Sequence, residues 1–64
     1  MNPAATAIIA EDEDLPRAEL RRMLEQAWPE LRIVAECEHG PAAVQAIDEH
    51  APDIAFLDIR MPGL

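Results

Sequence analysis

Asp58 closes a short apolar run, Ile54-Ala55-Phe56-Leu57, and is followed by Ile59-Arg60 and a Met61-Pro62-Gly63 turn. An unbroken apolar run that ends in one carboxylate ahead of a Pro-Gly turn predicts a buried parallel strand presenting that carboxylate at its carboxyl end. A second acidic group, Glu11-Asp12-Glu13-Asp14, follows another small apolar run, Thr6-Ala7-Ile8-Ile9-Ala10. If the two runs are neighbouring strands, Glu11, Asp12 and Asp58 converge beyond the carboxyl ends of the sheet, where open α/β sheets bind ligands. Three like charges in one crevice repel, so either one carboxyl takes up a proton at raised pKa or a hard divalent cation offsets the repulsion. Mg²⁺ suits one or two carboxylates together with a backbone carbonyl and waters, a set that Asp12, Asp58 and the Arg60 carbonyl could supply. A carboxylate beside such an ion is placed to attack a phosphoryl group in line.

Simpler roles compete for some of these residues. Acids that follow a strand often only cap the next helix, which fits Asp14 well and Glu13 tolerably. Glu11 and Asp12, taken alone, fit capping or solvation as well as chemistry. Asp58 is the sharper signal. His39 and His50 have no partners at metal-ligand spacing and read as solvated side chains. Cys37 lacks a flanking cation that would lower its pKa and reads as an inert, half-buried thiol.

The elements needed to position these groups follow from periodicity. Thr6 to Ala10 predicts a first strand. Asp14 predicts the N-cap of a helix with Pro16 in its first turn, and Leu20, Met23, Leu24 and Ala27 recur at helical spacing as a core stripe, leaving Arg17, Arg21 and Arg22 mainly off it. Trp28-Pro29 ends that helix, because the residue before proline is pushed out of the α region. Arg32 to Cys37 mixes β-branched residues with charged ends, which suits an edge strand. A second helix from about Pro41 to His50 carries Ala43, Val44, Ile47 and Ala51 on one face, with Gln45, Asp48 and Glu49 outward. The final strand is Ile54 to Leu57. The order β-α-β-α-β with short, right-handed crossovers predicts three parallel strands with one helix on each face.

Composition sets further bounds. With 64 residues the chain is one unit at most, and Trp28 and Phe56 are its only aromatics, so its core is small-grained and its stability marginal. The net charge of −8, with arginine as the only strong cation and no lysine, argues against direct nucleic-acid binding by this segment, since phosphate neutralisation needs cationic side chains. No run approaches membrane-spanning length and nothing resembles a signal peptide, and the lone cysteine forms no internal disulfide, so a reducing, cytoplasmic setting is expected.

With Ile-Ile-Ala-Glu-Asp-Glu at residues 8–13 and Phe-Leu-Asp-Ile-Arg-Met-Pro-Gly at residues 56–63, the chain closely resembles the receiver domain of bacterial two-component response regulators. The wording of the second motif, and the Arg-Ala-Glu-Leu-Arg-Arg helix, look most like regulators with a LytTR-type DNA-binding output. The resemblance implies that residues 1–64 form the N-terminal half of a flavodoxin-like, doubly wound parallel sheet. It implies that Asp58 is the phosphoacceptor for a sensor histidine kinase, and that Asp12, Asp58 and the Arg60 backbone carbonyl hold Mg²⁺, with Glu11, longer than the commoner Asp, reaching the ion through water. The family's pattern continues past the third strand with a hydroxyl residue, a lysine and an aromatic switch residue that this chain lacks. Phosphorylation of the segment is therefore expected to be slow.

Two further readings follow from the residues. If nothing follows the third strand, its apolar edge is exposed and should seek a partner, either itself in a homo-oligomer or a full-length regulator, with or without phosphorylation. A hydrolytic phosphotransferase working through an aspartyl intermediate fits less well, because Arg60 stands where a second acid would be needed. The chain thus reads as a signalling module and not an enzyme.

Overall fold

The computed structural model describes residues 4–58. Five elements follow in order: strand β1 (Thr6–Ala10), helix α1 (Asp14–Ala27), strand β2 (Arg32–Cys37), helix α2 (Gly40–His50) and strand β3 (Ile54–Leu57). The strands form one parallel sheet in the order β2-β1-β3, so the first and third strands are neighbours as the sequence predicts. Ala7 to Ala10 pair with Ile54 to Leu57 without interruption. The pairing of β1 with β2 shifts between Ala7 and Ile8, where Val34 is passed over as a bulge.

Because β1 is central, its apolar residues are fully covered: Ala7, Ile8, Ile9 and Ala10 are all buried. Side chains alternate along a strand, so Ile8 and Ala10 share one face. There they pack with Cys37 of β2 and with Ala43 and Ala46 of α2, flanked by Val34, Ala35 and Ala42. Cys37 is well inside this cluster, and burial pushes its thiol pKa up, which keeps it protonated and unreactive. Ile8 and Ile9 are the largest side chains that are fully buried, so the core is as fine-grained as the composition implies.

The helices bury only part of the stripes the periodicity favours, Ala43 being inward as expected. On α2 the inward residues are Gly40, Ala43 and Ala46, whereas Val44 and Ile47 are 57% and 40% exposed. The helix lies over β1 and β2 and leaves β3 uncovered on that side, and only small residues fit its close approach to the sheet. On α1 no residue is fully buried. Leu20 and Leu24 are half-buried, but Met23, expected in the core stripe, is 64% exposed.

The helix starts also differ from expectation. Asp14 is the first helical residue of α1, and Glu13, in extended conformation, is the cap without a side-chain capping bond. Helix α2 begins at Gly40, and its cap is His39, whose Nδ1 accepts the Ala42 N–H at 3.1 Å. His39 is thus exposed but structurally engaged, which its lack of metal-spaced partners did not signal. Replacing it by alanine should cost about 1 kcal/mol, and replacing it by asparagine or aspartate should keep the cap. Urea unfolding of the two variants measures this, and equal stabilities would mean that the His39 bond contributes nothing.

The connection into β3 is tied down at its start. Ala51 ends α2 in the left-handed region at φ 44°, with its N–H on the Ile47 carbonyl, and Pro52 then prevents continuation. Asp53 locks the register of β3 on β1, its Oδ2 accepting the Thr6 N–H at 2.8 Å while its own N–H donates to the Thr6 carbonyl at 3.0 Å.

Candidate functional site

Parallel pairing of β1 with β3 brings both acidic strand ends to one edge of the sheet. The register is carried one step further by the Asp58 N–H, which donates to the Ala10 carbonyl at 3.0 Å. On the other side of β1, the Glu11 N–H donates to the Cys37 carbonyl at 3.0 Å. The backbone at both positions is therefore fixed by the sheet, and the side chains project from its carboxyl end.

Glu11, Asp12 and Asp58 each bring a carboxylate oxygen within 4.8 Å of the others. Glu11 and Asp58 are half-buried and Asp12 is exposed. Beside them opens a cleft of about 330 Å³, walled by the apolar Pro16, Leu20 and Phe56 as well as by Glu11 and Asp58. The carboxylates thus sit between an apolar wall and water, where their mutual repulsion is only partly screened.

The Glu11 carboxyl is displaced from its ordinary pKa by several neighbours. A hydrogen bond from the Glu13 N–H to Glu11 Oε2, at 2.9 Å, holds its carboxyl pKa down. A hydrogen bond with the Asp12 side chain, partial desolvation and the charges of Asp58 and Asp12 outweigh it, so the group lies above its ordinary value. A raised carboxyl is one of the two outcomes expected of the trio from the sequence.

The donor set fits a hard divalent cation. All three groups are oxygen donors, their spacing allows a single ion to be shared, and one exposed flank leaves room for waters. Mg²⁺ characteristically takes one or two carboxylates and keeps several waters. The Arg60 carbonyl, expected as a further ligand, lies outside the described residues, as does the Met61-Pro62-Gly63 turn.

One contributor was not foreseen. Arg17 on α1 lies off the apolar stripe as predicted, yet its side chain is only 14% exposed. Its Nη1 donates to the Glu11 carbonyl at 2.9 Å, and its Nη2 reaches Asp14 Oδ1 at 2.6 Å and Glu38 Oε1 at 3.4 Å. The i, i+3 spacing of Asp14 and Arg17 was legible in the sequence, but the bond to a strand-end carbonyl depends on how α1 docks. Arg21 makes a similar tie farther along, from α1 to Glu36 of β2 at 2.6 Å and to Glu25 at 3.2 Å.

His50, Cys37 and the remaining acids take no part in the trio. No helix among the described residues is long and apolar enough to cross a membrane.

This arrangement has close parallels. Residues 7–64 match the family model described as response regulator receiver domain. An uncharacterised response regulatory protein of Vibrio cholerae is 53% identical over 64 residues, which is all of this chain and 24% of that protein. The transcriptional regulatory protein BtsR of Salmonella typhi is 42% identical over 57 residues, covering 89% of this chain and 23% of its own length. A protein-glutamate methylesterase/protein-glutamine glutaminase of Nitratidesulfovibrio vulgaris is 39% identical over 59 residues, or 92% of this chain and 16% of that protein. The signal receiver domain of the response regulator NarL from Mycobacterium tuberculosis superposes with a TM-score of 0.88 at 33% identity, over 98% of this chain and 50% of that one. The chain therefore spans about a quarter or less of these curated relatives and half of the solved receiver domain. With its parallel β2-β1-β3 sheet, its acidic trio at the strand ends and a family match over residues 7–64, the chain belongs to the response regulator receiver domain family.

Proposed function

We propose that residues 1–64 are the N-terminal half of a receiver that takes a phosphoryl group on Asp58 from a sensor histidine kinase in a cytoplasmic two-component relay. The observation that carries this reading is the convergence of three carboxylate oxygens within 4.8 Å at adjacent strand ends in a chain of this family. The role of each residue follows from its place. Asp58, fixed by its N–H on Ala10, supplies the nucleophilic oxygen. That oxygen forms a bond to phosphorus as the bond from phosphorus to the donor's imidazole nitrogen breaks, giving an acyl phosphate and free imidazole.

Asp12, Asp58 and the Arg60 carbonyl would hold Mg²⁺, with Glu11, tied back to the Glu13 N–H, contributing through water. Such an ion, when bound, would offset the charge on the phosphoryl oxygens. The apolar wall of Pro16, Leu20 and Phe56 limits water around the attacking oxygen on one side. The sequence contains no lysine, so this segment alone supplies no ammonium to the phosphoryl group and its own rate is low. The module accepts a signal and is not itself an enzyme. Its relatives carry both transcriptional and methylesterase names, and the Asp58–Gly63 wording favours a LytTR-type output.

Incubation with Mg²⁺ and acetyl phosphate, read by intact-mass spectrometry, tests the reading. A single phosphoryl adduct that requires Mg²⁺ is expected. No adduct on folded protein would refute it.

A second reading is favoured by one observation: β3 carries no charged residue, its outer edge pairs with no other strand among the described residues, and Leu57 within it is 40% exposed. In any form of the protein in which nothing follows β3, this edge pairs with its twofold mate or with a full-length regulator. Sedimentation showing a compact, cooperatively folding monomer would exclude the homodimer.

A further inference from the structure

Arg17 occupies a place that an ordinary surface arginine does not. Its side chain is 14% exposed, while the carboxylates it pairs with are 85% and 69% exposed. Exposed ion pairs contribute little, so the bonds to Asp14 and Glu38 do not by themselves explain why a long cation is held this close to the sheet. The third bond does. Arg17 Nη1 donates to the carbonyl of Glu11, the residue at which β1 gives way to the acidic loop. That carbonyl belongs to the peptide plane joining Glu11 to Asp12. Fixing the plane places the Asp12 N and Cα and so restricts the directions in which its side chain can leave the backbone.

The remaining bonds of the same guanidinium extend the effect. Asp14 is the first residue of α1 and Glu38 lies between β2 and α2, so one planar, five-donor group ties the end of β1, the start of α1 and the β2–α2 loop together. The loop is closed from its other side by the Glu11 N–H on the Cys37 carbonyl and by Glu11 Oε2 on the Glu13 N–H. Remove Arg17 and the Glu11 carbonyl loses the one partner that reaches it from α1.

We propose that Arg17 is a positioning residue for the cation site, holding the Glu11–Asp12 peptide in the orientation that lets Asp12 and Asp58 share one divalent ion. The inference rests on the Mg²⁺ reading of the acidic trio and adds to it a residue that touches neither ion nor phosphoryl group. Charge and positioning predict opposite signs here. A guanidinium near a cation site repels the ion, so if charge alone mattered its removal would tighten binding. If Arg17 positions the loop, its removal weakens binding, as loss of a supporting bond to a metal ligand typically does, by roughly 10- to 100-fold.

The test uses the whole chain and Mg²⁺ alone, followed through the amide NMR signals of residues 11–13, with hydrogen exchange of the Glu11 and Asp12 amides measured before metal is added. Arg17→Gln is expected to raise the Mg²⁺ dissociation constant by roughly tenfold or more and to speed exchange at both amides. Arg17→Lys keeps the charge without the fork and should not restore either property. Arg21→Gln, which removes a cation from the same helix without touching the loop carbonyl, should leave both unchanged. Unchanged or tighter binding in Arg17→Gln, or parental behaviour in Arg17→Lys, overturns the proposal. If Arg17→Gln does not fold, Arg17→Lys decides. Absence of any saturable Mg²⁺ shift in the parent would refute the metal reading instead, and unaltered exchange in the Arg17 variants would then refute the positioning role separately.

Discussion

Replacing Asp58 by asparagine is expected to abolish the phosphoryl adduct and to weaken Mg²⁺ binding by more than about tenfold, while leaving the fold intact. An amide oxygen is a poor nucleophile and a neutral ligand, so the substitution removes both the proposed attacking atom and one of three carboxylates. The backbone is unaffected, since the anchoring bond runs from the Asp58 N–H to the Ala10 carbonyl. Intact-mass spectrometry of the variant beside the parent reads the first effect, and an adduct of equal yield would move the phosphoacceptor elsewhere.

The same substitution has a pH signature. Glu11 lies above its ordinary pKa in the folded state, so folding binds its proton more tightly than the unfolded chain does. Its contribution therefore favours folding at acid pH and is lost as the pH rises through the folded value. The Asp58 charge is one cause of that raised pKa, after the Asp12 hydrogen bond and desolvation. Asp58→Asn should flatten this part of the pH dependence and raise the melting temperature slightly at neutral pH, where repulsion among the carboxylates is greatest. A melting temperature that falls at neutral pH would show that Asp58 contributes more as a structural partner than it costs as a like charge.

Ile8→Ala should destabilise the chain by about 2–5 kcal/mol, enough to unfold most of it at room temperature. Ile8 is fully buried at the centre of the cluster formed with Ala10, Cys37, Ala43 and Ala46. Its neighbours there are mainly small, so a lost branched side chain leaves a void that they cannot fill by rotating. A chain of 64 residues has little surplus stability to absorb that. Met23→Ala serves as the contrast: at 64% exposure it should change stability by less than about 0.5 kcal/mol, although the periodicity of α1 gives it a core position. Urea unfolding followed by circular dichroism measures both, and near-equal midpoints would mean that the β1–α2 cluster does not dominate the core.

These contrasts mark where local pattern stops being informative. The strands were legible because an apolar run bounded by turn residues has few alternatives, and β1, β2 and β3 occur at the expected residues. The end of α1 was legible at Trp28-Pro29 because proline acts on the residue before it. Which helical face would be buried was not. Ala43, Val44, Ile47 and Ala51 form a reasonable apolar stripe, yet α2 turns Ala43 and Ala46 inward, because it lies on β1 and β2 and approaches them closely. The cap of α1 falls on Glu13, one residue before the Asp14 that was favoured, and α2 is capped by His39, for which the sequence suggested no cap. A cap depends on the path of the chain entering the helix, which residue type constrains only weakly.

The same division runs through the site. The sequence by itself determined that two apolar strands would each end in acids, with Asp58 after β3 and Glu11 and Asp12 after β1, because hydrophobic runs and charge breaks are local properties of the chain; it left Glu11 and Asp12 open between capping and chemistry. Only the tertiary structure decided that the three oxygens come within 4.8 Å, that Glu11 is drawn back onto the Glu13 N–H, and that Arg17 reaches across from α1 to the Glu11 carbonyl. Those are distances between segments that become neighbours only when the sheet register and the docking of α1 are set, and no spacing along the chain encodes them.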